Sequence, residues 1–139
     1  MIGIVAVILV MLPNAVYLFY TPANDPLSGN NASYWLWNTL ENIGRFGLMT
    51  ALCIVVNKTA SSQSRIVTTA SACSLIAYYV LWIAYFAGTV NGLSLVGMAL
   101  FPSIFFLLIA WRLRNGLALA FAALFAVVHI TITGSNFLT

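Results

Sequence analysis

N38-T-L-E-N-I-G-R45 is the stretch on which the reading of the fold turns. It lies inside a long apolar run, yet contains one of the two acidic residues of the chain and one of its five basic residues. Asn38, Glu41, Asn42 and Arg45 recur at i, i+3, i+4 and i+7. At about 100° per residue they fall within an arc of roughly 100° on one helical face. A helix of this kind can turn its polar groups away from an apolar solvent as a single stripe. Gly44, Gly47 and Ala51 fall toward the opposite side.

The rest of the 139-residue chain identifies that solvent. It is 63% hydrophobic and only 5% charged, with a mean hydropathy of +1.03. A soluble domain of this length needs many more charges to keep its surface hydrated. A helix crosses a bilayer with about 20 mostly apolar residues, and nearly the whole chain divides into such lengths. The expected helices lie near 2–20, 34–57, 66–88, 92–112 and 116–137, separated by TPANDPLSGNNAS, KTASSQSR, TVN and LRNG. The expectation is an all-α polytopic membrane bundle, 1–139 forming a single transmembrane domain of five transmembrane helices. The N-terminal segment has no basic stretch and no small-residue cleavage site, so it reads as a retained first helix.

Basic residues orient the bundle. Lys58 and Arg65 flank the second break and Arg112 and Arg114 mark the fourth, whereas the first and third breaks have no Lys or Arg. Alternation of this kind places the N-terminus in the cytoplasm and the C-terminus outside. The implied location is the plasma (inner) membrane of a prokaryotic cell, and the first partner is the lipid bilayer. A net charge of +3 from dispersed residues gives no nucleic-acid surface. Cys53 and Cys73 fall inside helices and read as buried thiols, and no metal-ligand or cofactor motif accompanies them.

Each charge at the centre of a membrane helix costs about 2.5–3.5 kcal/mol on insertion scales. Glu41 and Arg45 are four apart with the acid first, the favourable order for a helical ion pair. Entering near residue 34, the helix carries Glu41 about 10 Å deep and Arg45 about 16 Å deep, so neither reaches water easily. His129, the only histidine, is a type of side chain that titrates near neutrality. It lies about nine residues from the outer end of the fifth helix, level with Glu41, and Thr133 and Asn136 follow on its face.

Other helices place polar groups at similar depths. Pro13-Asn14 interrupts the first, freeing the Leu9 carbonyl, and Asn14, Tyr17 and Thr21 climb one face. The third presents Ser71, Ser74, Tyr78, Trp82 and Tyr85 at successive helical spacings; Tyr78 is too deep for an interfacial anchor and needs a hydrogen-bond partner. The fourth carries Pro102-Ser103. The inner half is plainer, as in LMTALCIVV and ALAFAALFAVV. This asymmetry implies a pocket facing outward above apolar packing. The candidate ligand-binding residues are Asn14, Asn38, Glu41, Asn42, Arg45, Tyr78, Trp82, His129 and Thr133. Asp25, in the first loop, reads as a solvated loop charge.

In size, five spans and tryptophan content the chain resembles the translocator (tryptophan-rich sensory) proteins in architecture alone. Their proline- and tryptophan-rich signature is not found, so no residue is carried over. Three functions are weighed. The first is binding or transport of a small polar or amphipathic ligand in a pocket centred on the Glu-Arg pair. The second is an accessory or assembly subunit whose stripe meets a partner membrane subunit, or a second copy in a homo-oligomer. The third is an intramembrane enzyme using Glu41 and His129 as acid and base, for which no nucleophile motif is present.

Overall fold

The computed structural model describes residues 1–55 and 64–138. Among these are five helices: α1 (Ile2–Phe19), α2 (Trp35–Ile54), α3 (Arg65–Phe86), α4 (Gly92–Arg112) and α5 (Gly116–Phe137), with a short 3-10 turn at Pro26–Gly29 between α1 and α2. Lys58 and the expected end of the second helix at 56–57 lie outside the described residues. The helices stop where the sequence supplies stop signals. Gly88 turns the chain after α3 with a φ of 75°, a conformation glycine adopts without cost. Asn91 then opens α4 with a reciprocal capping box, its Oδ1 accepting from Ser94 N at 2.9 Å and its N donating to Ser94 Oγ at 2.9 Å.

α1, α3, α4 and α5 are each long and apolar enough to cross a membrane. α2 has the length, at 20 residues, but its polar stripe lowers its hydropathy below theirs. Leu18, Phe19, Ile66, Ile83, Leu93 and Trp111 are exposed on the outside of the bundle, whereas Glu41, Ser71, Ser74, Ser103, Asn115 and Thr133 are buried. Apolar outside with polar groups sheltered inside is the arrangement lipid imposes. The protein is a membrane helical bundle.

α2 packs on α5, α5 on α4 and α4 on α3, and α1 lies against α2, α3 and α4. The most extensive seam is α2 on α5. A β-carbon at Gly44 would stand 2.8 Å from Phe125 N, and one at Gly47 would stand 2.5 Å from the Phe121 ring. Ala51, Ala118 and Ala122 are buried. α1 meets the C-terminal end of α2 more closely still, since a β-carbon on Gly3 would lie 2.1 Å from the Leu52 carbonyl oxygen. Small residues let backbones approach this way.

The close seam also rotates α2 relative to the expected placement of the stripe. The buried face of α2 is Glu41, Gly44, Leu48, Ala51 and Leu52. It straddles one edge of the polar stripe and one edge of the small-residue face. Glu41 is therefore buried, Arg45 half-buried and Asn42 exposed. The stripe does not turn inward as a unit, because docking Gly44 and Ala51 swings Asn42 outward.

Asn115 fastens the end of the bundle where α2 stops and α5 begins. Its Oδ1 accepts from Ala118 N at 3.0 Å, capping α5, and its Nδ2 donates to the Ala51 and Val55 carbonyls at 2.9 and 3.2 Å. One buried side chain thus satisfies an orphan donor of α5 and the terminal acceptors of α2. Cys53 and Cys73 are free thiols, half-buried and exposed respectively.

Candidate functional site

The helices separate above this seam and enclose a cavity of about 180 Å³. α1 contributes Val10 and Asn14 to its wall, α2 Arg45 and Leu48, and α3 Tyr78 and Trp82. α4 adds Met98, Pro102 and Phe106, α5 adds Phe125, His129 and Thr133, and the first loop adds Leu27 and Asn30. The serines noted in the sequence take no part in its polarity. Ser71, Ser74 and Ser103 each donate to the carbonyl four residues earlier in their own helix, at 2.8, 2.9 and 2.7 Å.

The ionic centre is a three-residue cluster on one carboxylate oxygen. Glu41 Oε1 accepts from Arg45 Nη2 one turn along α2 and contacts His129 Nδ1 at 2.9 Å across the α2–α5 seam. Phe125, one turn before His129, stacks on the imidazole with centroids 4.8 Å apart and planes at 15°, and Arg45 Cζ lies 5.7 Å from the same ring centroid. An ionised carboxylate can only accept. Nδ1 therefore carries the hydrogen of that contact, and Nε2 is free to accept when the ring is neutral or to donate when it is protonated.

The wall across from this cluster is tied to the proline break in α1. Pro13 has no N–H for the Leu9 carbonyl, and Tyr79 Oη donates to that oxygen instead at 2.7 Å. One turn on, Asn14 Nδ2 donates to Val10 O at 3.0 Å and to Tyr78 Oη at 2.9 Å, while Tyr78 Oη donates to Val10 O at 3.3 Å. Beside them the Trp82 indole N–H, next to the Tyr78 hydroxyl but not aligned with it, has no hydrogen-bond partner. Trp82 is 4% exposed. Among the described residues it is the one buried side-chain donor or acceptor left unsatisfied, and it borders the cavity.

The first loop is a structural part of this site. Asp25 is half-buried rather than a solvated loop charge. Its carboxylate accepts from Tyr85 and from Tyr17, the latter at 2.7 Å, and the Leu27 N–H reaches Tyr85 Oη at 3.4 Å. Burial alone would raise the Asp25 carboxyl, but donation from Tyr85, Tyr17 and the Ser28 and Leu27 backbone outweighs it and holds the group below its usual range. At the other end Asn30 Nδ2 donates to Thr133 Oγ1 at 3.0 Å, and Asn136 Nδ2 donates to Asn30 Oδ1 and Asn31 O at 3.0 and 3.2 Å. The loop is held at both sides across the end of the bundle where α1 and α5 stop, with Leu27 and Asn30 turned to the cavity.

Of the nine residues expected to form the site, Asn14, Arg45, Tyr78, Trp82, His129 and Thr133 meet in the cavity wall. Glu41 stands behind the wall, holding Arg45 and His129. Asn38 is used locally, pairing with Ala32 N and O at 2.9 and 2.8 Å to brace the entry into α2. Asn42 faces outward. Asp25, Asn30, Leu27 and Phe125 belong to the site although the expected set omitted them. The available signal for Asp25 was its rarity, as one of two acids in the chain, in a loop between two tyrosine-bearing helix ends. Among the described residues no three of His, Cys, Asp and Glu converge as metal ligands. No known protein family, curated protein or solved structure matches this chain.

Proposed function

We propose that all five helices cross the membrane and that the cavity binds a small polar or amphipathic ligand, for carriage across the membrane or for sensing. α2 runs antiparallel to α5 in register with it, joined at one end through Asn115 and near the other through Glu41 and His129. A membrane that α5 crosses is therefore crossed by α2. Arg65 and Arg112 lie at the same end, where α3 begins and α4 stops, which supports a cytoplasmic N-terminus, an outer C-terminus and a prokaryotic plasma-membrane setting. Ser28→Cys and Arg114→Cys variants, labelled in intact cells with an impermeant maleimide, test this. Labelling is expected at residue 28 alone, and labelling at 114 alone reverses the orientation.

One observation carries the binding reading: Arg45 and His129 both reach the wall of a mainly apolar cavity while sharing one carboxylate behind it. Charges kept within a membrane are costly and mark functional sites more often than packing devices. Apolar walls with a few convergent polar groups are the usual form of a small-molecule site. Binding of small amphipathic probes to the purified protein, followed by Trp fluorescence, should weaken or lose its pH dependence in Glu41→Gln. Unaltered binding at every pH counts against the assignment.

A second reading, an accessory subunit or a homo-oligomer, is favoured by the exposure of Asn42, since an amide facing outward at this depth suits hydrogen bonding to another helix. Loss of a stoichiometric partner or of dimer cross-linking in Asn42→Leu would support it. A monodisperse monomer insensitive to this change would not.

A further inference from the structure

We propose that the ligand is a small amphipathic monoanion, a carboxylate-type head on an apolar body, and that it enters the cavity together with one proton taken up on His129. The inference deepens the binding reading above and rests on it.

The polarity of the wall points to an anion. Glu41, the one carboxylate at this level, is not part of the wall; its two hydrogen-bond donors are. Arg45 has five N–H groups and no acceptor, and only Nη2 is used by Glu41. Trp82 offers a donor and no acceptor, and that donor is unpartnered at 4% exposure. Thr133 Oγ1 already accepts from Asn30, so its own hydrogen is available to give. Against these stand the Asn14 carbonyl oxygen and, while its ring is neutral, His129 Nε2; the Tyr78 hydroxyl both accepts and donates already. A cationic head would meet the guanidinium charge and leave the indole N–H orphaned. A carboxylate has two oxygens with which to satisfy Arg45, Trp82 and a third donor.

Charge balance supplies the proton. Glu41 and Arg45 already neutralise each other, so a further anion in a low-dielectric space needs a further positive charge. α2 presents Glu41 and Arg45 to His129, and α4, also packed on α5, turns only apolar residues to the cavity. From α3 the facing titratable group is Tyr78, α1 offers the uncharged Asn14, and Asp25 of the loop is engaged by Tyr17 and Tyr85. The imidazole is what remains. It takes a proton from water on Nε2, keeps Nδ1–H on Glu41, and presents Nε2–H to the ligand.

Size narrows the class. An apolar cavity of about 150 Å³ accepts benzene, so the cavity of about 180 Å³ here admits a ring or short chain with one head group. Leu48, Met98, Pro102 and Phe106 provide the apolar side.

The test is calorimetric titration of the purified full chain in nanodiscs with benzoate, benzylamine and benzyl alcohol, three probes of one size that differ in charge. Above about pH 5.5 benzoate stays ionised, so a proton taken up on binding goes to the protein. Benzoate is expected to bind with uptake of one proton, measured from buffers of different ionisation enthalpy. Uptake of one proton requires its affinity to fall by up to tenfold for each unit that pH rises. His129→Gln should flatten that slope, and Trp82→Phe should weaken benzoate by about tenfold while leaving the slope intact. If His129→Gln does not fold, the proton count of the unaltered protein and the Trp82→Phe titration still decide. Benzylamine or benzyl alcohol binding as tightly as benzoate would reject the anion while sustaining the pocket. Benzoate binding without proton uptake would reject the coupling. No binding by any of the three would overturn both this inference and the binding reading.

Discussion

On the orientation proposed above, the inner and outer halves of this bundle are held together in different ways. In the inner half backbones touch. Gly3 meets the Leu52 carbonyl, Gly47 meets Phe121, and Asn115 ties the end of α2 to the start of α5. In the outer half, apart from Gly92 against the Phe137 carbonyl where α4 begins and α5 ends, side chains reach one another across gaps, as Glu41 does to His129, Asn14 to Tyr78, Asp25 to Tyr17 and Asn30 to Thr133. The difference follows from residue size. Glycine and alanine bring helices together until nothing fits between them, whereas tyrosine, tryptophan and arginine hold them apart. A cavity forms where one regime gives way to the other, and Gly44, packed on the Phe125 backbone one turn below His129, marks the changeover.

That contrast can be broken experimentally. The largest effect is expected in the outer half from Glu41→Leu, which strands Arg45 and the His129 Nδ1–H without their acceptor and should cost about 3 kcal/mol. Thermal unfolding in detergent measures it. Replacing both charges, Glu41→Leu with Arg45→Met, should recover most of the loss, because an apolar pair carries no desolvation penalty. If the double variant were no better than the single, the cluster would be held by shape rather than charge.

Along the glycine seam of α2 and α5 the failure should be steric and admit no such rescue. Gly44→Ala puts a methyl group 2.8–3.0 Å from Phe125 backbone atoms and Cβ and should cost about 2 kcal/mol. Gly47→Ala meets only the Phe121 ring, which can turn, and should cost less than about 1 kcal/mol. Equal losses at the two positions would show that α2 and α5 can slide apart. Asn115→Ala, which removes a cap and two interhelical bonds, should cost about 1–2 kcal/mol.

The smallest effect is expected from acid on the loop. Because the folded Asp25 carboxyl lies below its unfolded value, its contribution is complete above about pH 4 and is lost as pH falls through the lower folded value. Trp82 fluorescence, in a chain whose Trp35, Trp37 and Trp111 are phenylalanine, should change below pH ~4 without unfolding of the helices. Asp25→Asn should remove the transition.

Features set by local spacing were readable in the sequence. Five apolar runs with Asn and Gly at their breaks become five helices, and the Glu41–Arg45 pair is an i, i+4 contact that any helix would make. The pairing of His129 with Glu41 could be anticipated only as a shared depth. Which edge of α2 would face inward could not be read, because polar and small residues compete for the interior and the close backbone approach at Gly44 decides the rotation. The bonds from Tyr85 to Asp25 and from Asn30 to Thr133 join residues 60 and 103 apart. Loop closures of that length leave no periodic trace, so the contribution of Asp25 and Asn30 was hidden until the chain was folded.

The Tyr79 hydroxyl on the Leu9 carbonyl has a consequence for biogenesis. The acceptor and its donor are 70 positions apart, so the ribosome delivers α1 to the membrane well before the tyrosine exists. Until then the carbonyl freed by Pro13 must borrow a partner, from water, from lipid headgroups or from the insertion machinery, at a cost of several kcal/mol if it finds none. The first helix of this protein is thus completed by its third, and insertion of an N-terminal fragment ending before residue 79 should be measurably less efficient than that of the same fragment with Pro13→Ala.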